Sequence, residues 1–314
     1  MNQVFTLFFI FFPGLFLMTE TYVNASVTDL HILPELTEQI ESQVSYGKVV
    51  HRLKREGEWT KVRDQYGSEG WLLERELIDL SDLYSEGIVV AKVKSFFAYV
   101  YKVDDTTPHP PVIRLPHGTD VHILFLESEL NNRWCKMRML NGEIFWIQSG
   151  DLSFNPSLLS QEEVVQLSEK FLYIPYRWGG NTSFGFDCSG FIQCLFSYMG
   201  FSLPHSAQKQ SESTLFKSVN KDCVRKGDLA FFKSLAGGEH FTHVGLMIDD
   251  EYFIHSNVAN TTEPAAVRIN SIYQEHWVSR LGAVKRLRSK EENALPEDHI
   301  LNNRIRKLKA KSRR

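Results

Sequence analysis

Apolar and polar residues alternate with a period of two through the first half of the chain, then switch to helical spacing in the second. The segment EWTKVRDQYGSEGWLLERELI (58–78) reads as strands around a polar, glycine-bearing turn, and RWCKMRMLNGEIFWIQSGDLS (133–153) repeats the scheme. Trp59, Trp71 and Leu77 reappear as Trp134, Trp146 and Leu152, at a constant offset of 75 residues. Upstream of each copy, YGKVVHRLKREG and PHGTDVHILFLES both place a glycine turn before an apolar strand. Two small all-β barrels in tandem are predicted.

After Leu152 the texture changes, and Asn155-Pro156 marks a linker. Ser160 with Glu163 forms an S-x-x-E capping box, and Val164, Leu167 and Phe171 fall on one helical face, so a helix is predicted that Pro175 stops. A second helix is predicted from Cys188, with Phe191, Ile192, Leu195 and Met199 on its apolar face, Gly200 as its C-terminal cap and Pro204 beyond. Cys188 then lies on the first turn, facing inward, where unpaired amides and the helix dipole favour a thiolate and offer N–H groups to an oxyanion. Further on, FTHVGLMIDDEYFIHSNV reads as a hairpin turning at Asp249-Asp250. His243 and His255 are each six residues from Asp249, so they are expected opposite each other on one face of that hairpin.

Composition narrows the picture only at the ends of the chain. With 314 residues, 43% hydrophobic, the chain suits two or three folded domains, and a net charge of −3 gives no bias toward nucleic acid or anionic membrane. Residues 302–314 carry seven Lys or Arg and no acid, which fits a solvated basic tail. Residues 4–18, VFTLFFIFFPGLFLM, are too short and proline-interrupted for a membrane span but suit the apolar core of an export signal, with Val23-Asn24-Ala25 as a cleavage site. Since no Lys or Arg precedes Lys48, an uncleaved anchor or a buried first strand in a cytoplasmic protein are the competing readings. The four cysteines show no CxxC spacing, so neither a zinc site nor a disulfide framework is expected.

A thiol nucleophile needs a base in hydrogen-bond reach, and two histidines registered across a hairpin supply a base and an orienting partner. A packing cysteine is the competing reading for Cys188; the glycine-rich approach WGGNTSFGF, which lets a backbone or ligand come close, argues for more. Cys194 and Cys223 are expected to be packing residues.

The motifs PYRWGG (175–180), FDCSGF (186–191), LPHSAQKQ (203–210), KGDLAFF (226–232) and HVGLMIDDEYFIH (243–255) resemble, in order and spacing, those of the NlpC/p60 group of papain-like cell-wall cysteine peptidases. The tandem repeat, residues 26 to 153, resembles bacterial SH3-like domains. The resemblance implies an α+β papain-like (NlpC-type) catalytic domain over 158–288, preceded by two small all-β SH3-like barrels over 26–82 and 83–153. Residues 1–25 form the export signal and 289–314 the basic tail in this scheme. It further implies Cys188 as nucleophile, His243 as base, His255 as orienting residue and Tyr176 as a phenol donor beside the thiolate.

Asp187 is harder to place, because a carboxylate beside Cys188 raises the thiol pKa and hinders attack. By resemblance to relatives with SH3-like domains, Asp187 and Ser189 bind the free amine of an N-terminal L-alanine; a plain N-cap is the alternative. His205 stands where the family has Arg, which leaves Ser206 the nearest candidate for that loop's substrate contact. The implied activity is a metal- and cofactor-free endopeptidase cutting the γ-D-glutamyl–diamino acid bond of peptidoglycan stem peptides in the periplasm or cell envelope. The alternatives are a catalytically silent wall-binding adaptor and a related Cys-His amidase. Neither nucleic-acid binding nor an integral membrane span is expected.

Overall fold

A computed structural model describes residues 19–80, 87–124, 133–234 and 237–289. The first body comprises β1 (Glu20–Val23), β2 (Val27–His31), β3 (Ile40–Ser45), β4 (Val49–Glu56), β5 (Trp59–Asp64), β6 (Glu69–Leu73) and β7 (Leu77–Leu80), ordered β3-β2-β6-β5-β4-β1-β7. The second comprises β8 (Ile88–Val93), β9 (Phe97–Tyr101), β10 (Ile113–Pro116), β11 (Asp120–Leu124), β12 (Trp134–Arg138), β13 (Ile144–Gln148) and β14 (Leu152–Phe154). Its order, β10-β9-β13-β12-β11-β8-β14, is the same topology seven strands later. The offset of 75 carries β6 onto β13 residue for residue, and the turns before them place Gly67 and Gly142 at φ +88° and +86°, a region that favours glycine. Alternate residues point inward, giving one core of Val23, Leu30, Val50, Val62 and Leu72 and another of Ala91, Val93, Val100, Val121, Met137 and Ile147.

The expected leader needs a correction. Residues 1–18 lie outside the described residues, but β1 runs through the segment assigned to the signal: Tyr22 pairs with Val49 and Ile78, and Val23 is completely buried. Cleavage after Ala25 would strip from the first barrel a strand paired on both sides, with β4 and β7. The barrel therefore starts at Glu20, not at residue 26, and any leader must end before it.

The third body contains α1 (Gln161–Lys170), β15 (Asn181–Thr182), β16 (Gly185–Phe186), α2 (Cys188–Tyr198) and α3 (Ala207–Ser211). Its sheet is built from β17 (Phe216–Val219), β18 (Leu229–Lys233), β19 (Phe241–Met247), β20 (Tyr252–Asn257), β21 (Ala266–Ser271) and β22 (Leu281–Leu287), with α4 (Glu275–Val278) before the last strand. The antiparallel order is β17-β22-β18-β19-β20-β21. Ser160 caps α1 with the expected reciprocal pair: its Oγ accepts from Glu163 N–H and Glu163 Oε2 accepts from Ser160 N–H. The helix ends at Lys170, before Pro175, because Tyr173 takes a left-handed φ of 68°. One face of the sheet buries Phe231, Val244, Leu246, Ile254 and Val267 against α1 and α2; the other buries Phe232, Met247 and Phe253 under Trp277 of α4.

The three bodies are bolted together by polar contacts. Arg177 clamps Asp29 of the first barrel with two bonds of 2.8 Å, and Asn181 Nδ2 donates to Gln43 O at 2.9 Å. On the second barrel, His117 N–H donates to Ser183 Oγ at 2.9 Å, while the His117 ring meets the Tyr198 hydroxyl. Tyr46 OH joins the two barrels by accepting from Leu140 N–H at 2.8 Å.

Candidate active site

Helix α2 begins at Cys188 because Asp187 caps it, Oδ1 accepting from Gly190 N–H at 2.7 Å. It ends where Gly200 turns left-handed at φ +85°. Gly190 must be glycine: a β-carbon there would stand 2.1 Å from Gly180 O. The glycine-rich approach thus lets its own backbone press against the first turn of the helix, and the thiol is set at that junction.

Cys188 is partly buried and its sulfur lies against β19. Sγ–H is directed at Thr242 O, 3.9 Å away, and Val244 N–H points at the sulfur, so the thiol rests on the main chain on both sides of His243. Burial, and then the Asp187 charge, push the thiol up to about 12, against the lowering pull of the Val244, Ser189 and Cys188 N–H groups. The helix dipole does not prevail here.

His243 Nε2 and His255 Nδ1 are 2.8 Å apart, and both rings are enclosed. They are not cross-strand partners, however. Met247 pairs with Phe253 and Leu246 with Ile254, because the turn centres on Asp250 rather than Asp249, and this register sets Gly245 opposite His255. The two rings meet diagonally, and a side chain at Gly245 would collide with Phe253 and crowd His255. Trp277 closes the pocket, stacked on His243 at 5.2 Å and edge-on to His255 at 4.9 Å. Burial, with the electrostatic influence of His255, Arg280, Arg268 and His276, holds His243 well below an ordinary imidazole. Burial takes His255 down to about 3 despite its bond to Asn270. Burial thus favours the neutral form of the thiol and of both imidazoles.

Tyr176 is half-buried, with its main chain held by Ala265 O at 3.0 Å and bridged to Phe186. Burial and the charges of Asp187 and Cys188 raise its pKa, so the phenol keeps its proton and remains a donor.

Asp187, Ser189 and Ser206, the expected substrate contacts, are each engaged within the protein. Asp187 Oδ1 accepts from Ser189 Oγ at 3.0 Å and Gly190 N–H; Oδ2 accepts from Gly179 N–H at 2.9 Å and His205 Nε2 at 2.8 Å. Four donors fill its acceptor sites in the free protein. Ser189 is buried with its hydroxyl on Asp187, and Ser206 caps α3 by accepting from Lys209 N–H at 3.4 Å.

His205 is the residue whose role the sequence does not disclose. Its Nδ1 meets Ser42 Oγ of the first barrel at 2.8 Å while Nε2 holds Asp187, so one imidazole ties the barrel to the N-cap beside Cys188. Burial opposes its charge, but Asp187, with Asp64 and Glu41 behind it, raises its pKa, and its bonds to Asp187 hold that carboxyl low against burial. An imidazole joining Asp187 to Ser42 stands where the family has Arg. One other assignment changes: Cys223 is exposed and not a packing residue, whereas Cys194 packs against the main core as expected. All four cysteines are free, and among the described residues no cluster of His, Cys, Asp and Glu could hold a metal.

Comparison with known proteins agrees with this architecture. The NlpC/P60 family model matches residues 174–286, and a bacterial SH3 domain model matches residues 30–79. A gamma-D-glutamyl-L-lysine dipeptidyl-peptidase of Bacillus subtilis is 28% identical over 75% of this chain and 78% of its own length. A Bacillus cereus protein of the same name is 27% identical over 69% of this chain and 67% of its own. The Escherichia coli murein DD-endopeptidase MepS/murein LD-carboxypeptidase is 35% identical over a shorter stretch, 37% of this chain and 57% of its own. The crystal structure of an NlpC/P60 family protein from Bacillus cereus superposes with a TM-score of 0.71 at 21% identity, covering 85% of this chain and 99% of that one. The chain thus carries an NlpC/P60-type domain over residues 174–286 behind an SH3-type domain over residues 30–79, and it shares the fold of that Bacillus cereus protein.

Proposed function

We propose that the chain is a cysteine peptidase that hydrolyses the γ-D-glutamyl–diamino acid bond of peptidoglycan stem peptides carrying a free N-terminal L-Ala. The observation that carries this reading is the thiol of Cys188, at the first turn of α2, resting on the His243 strand whose imidazole is bonded to His255. The bond and the free amine follow the names of the Bacillus relatives, dipeptidyl-peptidases of γ-D-glutamyl-L-lysine.

In the reaction, the thiol proton leaves Thr242 O for the ring of the adjacent His243, and sulfur adds to the γ-carbonyl carbon. The developing oxyanion takes hydrogen bonds from main-chain N–H groups at the start of α2 and from Tyr176. As the C–N bond breaks, the His243 imidazolium gives its proton to the departing amine. Water, deprotonated by His243, then attacks the thioester, releasing the acid and restoring the thiol. With burial favouring the neutral thiol and imidazole, proton transfer in this scheme accompanies attack instead of preceding it.

The first barrel forms one wall of the approach, with Ile40 against Gly179 and Ser42 on His205, and it selects which peptides enter. An envelope location, with any leader ending before Glu20, belongs to the same proposal. Cys188→Ala should abolish cleavage of muropeptides while leaving the fold intact; turnover at the wild-type rate would rule out the thiol mechanism and leave the adaptor or another chemistry.

A further inference from the structure

Behind the two imidazoles lies a side chain that none of the sequence motifs includes. Asn270, on β21, is 5% exposed, and its Oδ1 is 2.8 Å from His255 Nε2. Its amide nitrogen donates to two acceptors, Glu263 Oε1 at 3.0 Å and Gln274 Oε1 at 3.1 Å. Turning the amide round would set its oxygen against both, so the orientation is fixed by chemistry. Glu263 is itself held, by Asn260 Nδ2 at 2.8 Å and by the Arg268 guanidinium at 3.3 Å.

The proton order follows from one end to the other. Oδ1 can only accept, so His255 Nε2 carries a hydrogen. A neutral imidazole has one N–H, so His255 Nδ1 is a bare acceptor and the 2.8 Å contact must be filled by a hydrogen on His243 Nε2. That leaves Nδ1 of His243, the ring nitrogen next to the main chain on which the thiol rests, with its lone pair free of hydrogen. With the opposite order, Nδ1 would carry a proton and could not accept one from sulfur.

We propose that Asn270, aimed by Glu263 and Gln274, is a positioning residue that fixes the tautomers of His255 and His243 so that the base meets the thiol with a bare nitrogen. It rests on the assignment of Cys188 and His243 as nucleophile and base. Because the group facing His255 is a neutral amide, not a carboxylate, it orders the protons while its pull toward an imidazolium is outweighed by burial. The charged groups acting on the pair are Glu263, Arg268, Arg280 and His276.

Nitrogen-15 NMR of histidine-labelled protein should find both rings protonated at Nε2 and bare at Nδ1. Asn270→Leu should lower kcat roughly ten- to a hundredfold with KM little changed, and His255 should then populate both tautomers. Asn270→Asp places a carboxylate against His255 Nε2 and should move the acid limb of kcat/KM upward by about one pH unit. A proton on His255 Nδ1 in the wild type, or an Asn270→Leu variant with unchanged kcat and tautomer, overturns the proposal; lowered stability alone would mark a structural residue. Should Asn270→Leu fail to fold, the wild-type spectrum and the Asp variant decide. Should the wild type cleave no muropeptide, the assigned function falls while the spectrum still decides the proton order.

Discussion

Asp187 sets the character of the thiol more than any other single residue. It caps α2 and engages His205, but its charge lies beside the sulfur and, after burial, is the main influence raising the Cys188 pKa. Burial raises the Cys188 thiol to about 12 and holds the imidazoles low, both of which work against an ion pair in the free protein. Iodoacetamide labelling of Cys188 should therefore be slow at pH 6 and climb steadily with pH, without the acid-range plateau of an ion-paired thiolate. Rapid labelling near pH 5 would show that the ion pair preexists and that the resting state is charged.

At the scale of elements, α2 and the β19–β20 hairpin are positioned by two glycines with different duties. Gly190 admits the Gly180 carbonyl against the first turn of the helix, and Gly245 makes room for Phe253 and His255 across the hairpin. Gly190→Ala should destabilise the protein by about 2 kcal/mol or more, since the obstruction is backbone that cannot swing aside, and should lower activity with it. Urea unfolding would check this; a wild-type midpoint would mean the approach segment yields easily. These elements were largely legible in the sequence, because apolar spacing and caps are local: Ser160, Glu163, Cys188 and Gly200 all do what their neighbours imply. The register was not, since one residue at the Asp249-Asp250 turn decides whether His243 faces His255 squarely or diagonally. Nor could local pattern reveal that Asp187 is saturated, because two of its four donors, Gly179 and His205, come from segments brought close only by folding. Asn270 likewise lies 15 residues beyond His255, in a segment with no motif of its own.

For the whole molecule, the three bodies share a set of buried histidines that make stability depend on pH. Burial depresses His117, between the second barrel and α2, to about 4 and His255 to about 3, and holds His122 and His243 low as well. Each binds its proton more weakly when folded than when unfolded, so the stability it confers is present above the unfolded pKa of about 6.5 and is lost as pH falls toward the folded value. His205 acts in the other direction: its raised pKa adds stability below about 6.5 that is lost as pH climbs through the folded value. Four groups against one predict a melting temperature that falls between pH 6.5 and 4, and His117→Phe should flatten that slope. A melting temperature that holds or rises on acidification would contradict the neutral assignments. The repeat was visible as an offset of 75 residues, whereas the packing of barrels on the peptidase domain was not, because Asp29, Ser42 and Gln43 look like ordinary surface residues until they meet Arg177, His205 and Asn181.

The central claim is that Cys188 attacks the γ-D-glutamyl carbonyl. Mass spectrometry of muropeptides incubated with the wild-type protein and with Cys188→Ala tests it most directly. The account predicts L-Ala-γ-D-Glu and a peptide with a new diamino acid N-terminus, formed only by the wild type. Scission at another bond, or equal product from the Cys188→Ala protein, would contradict it.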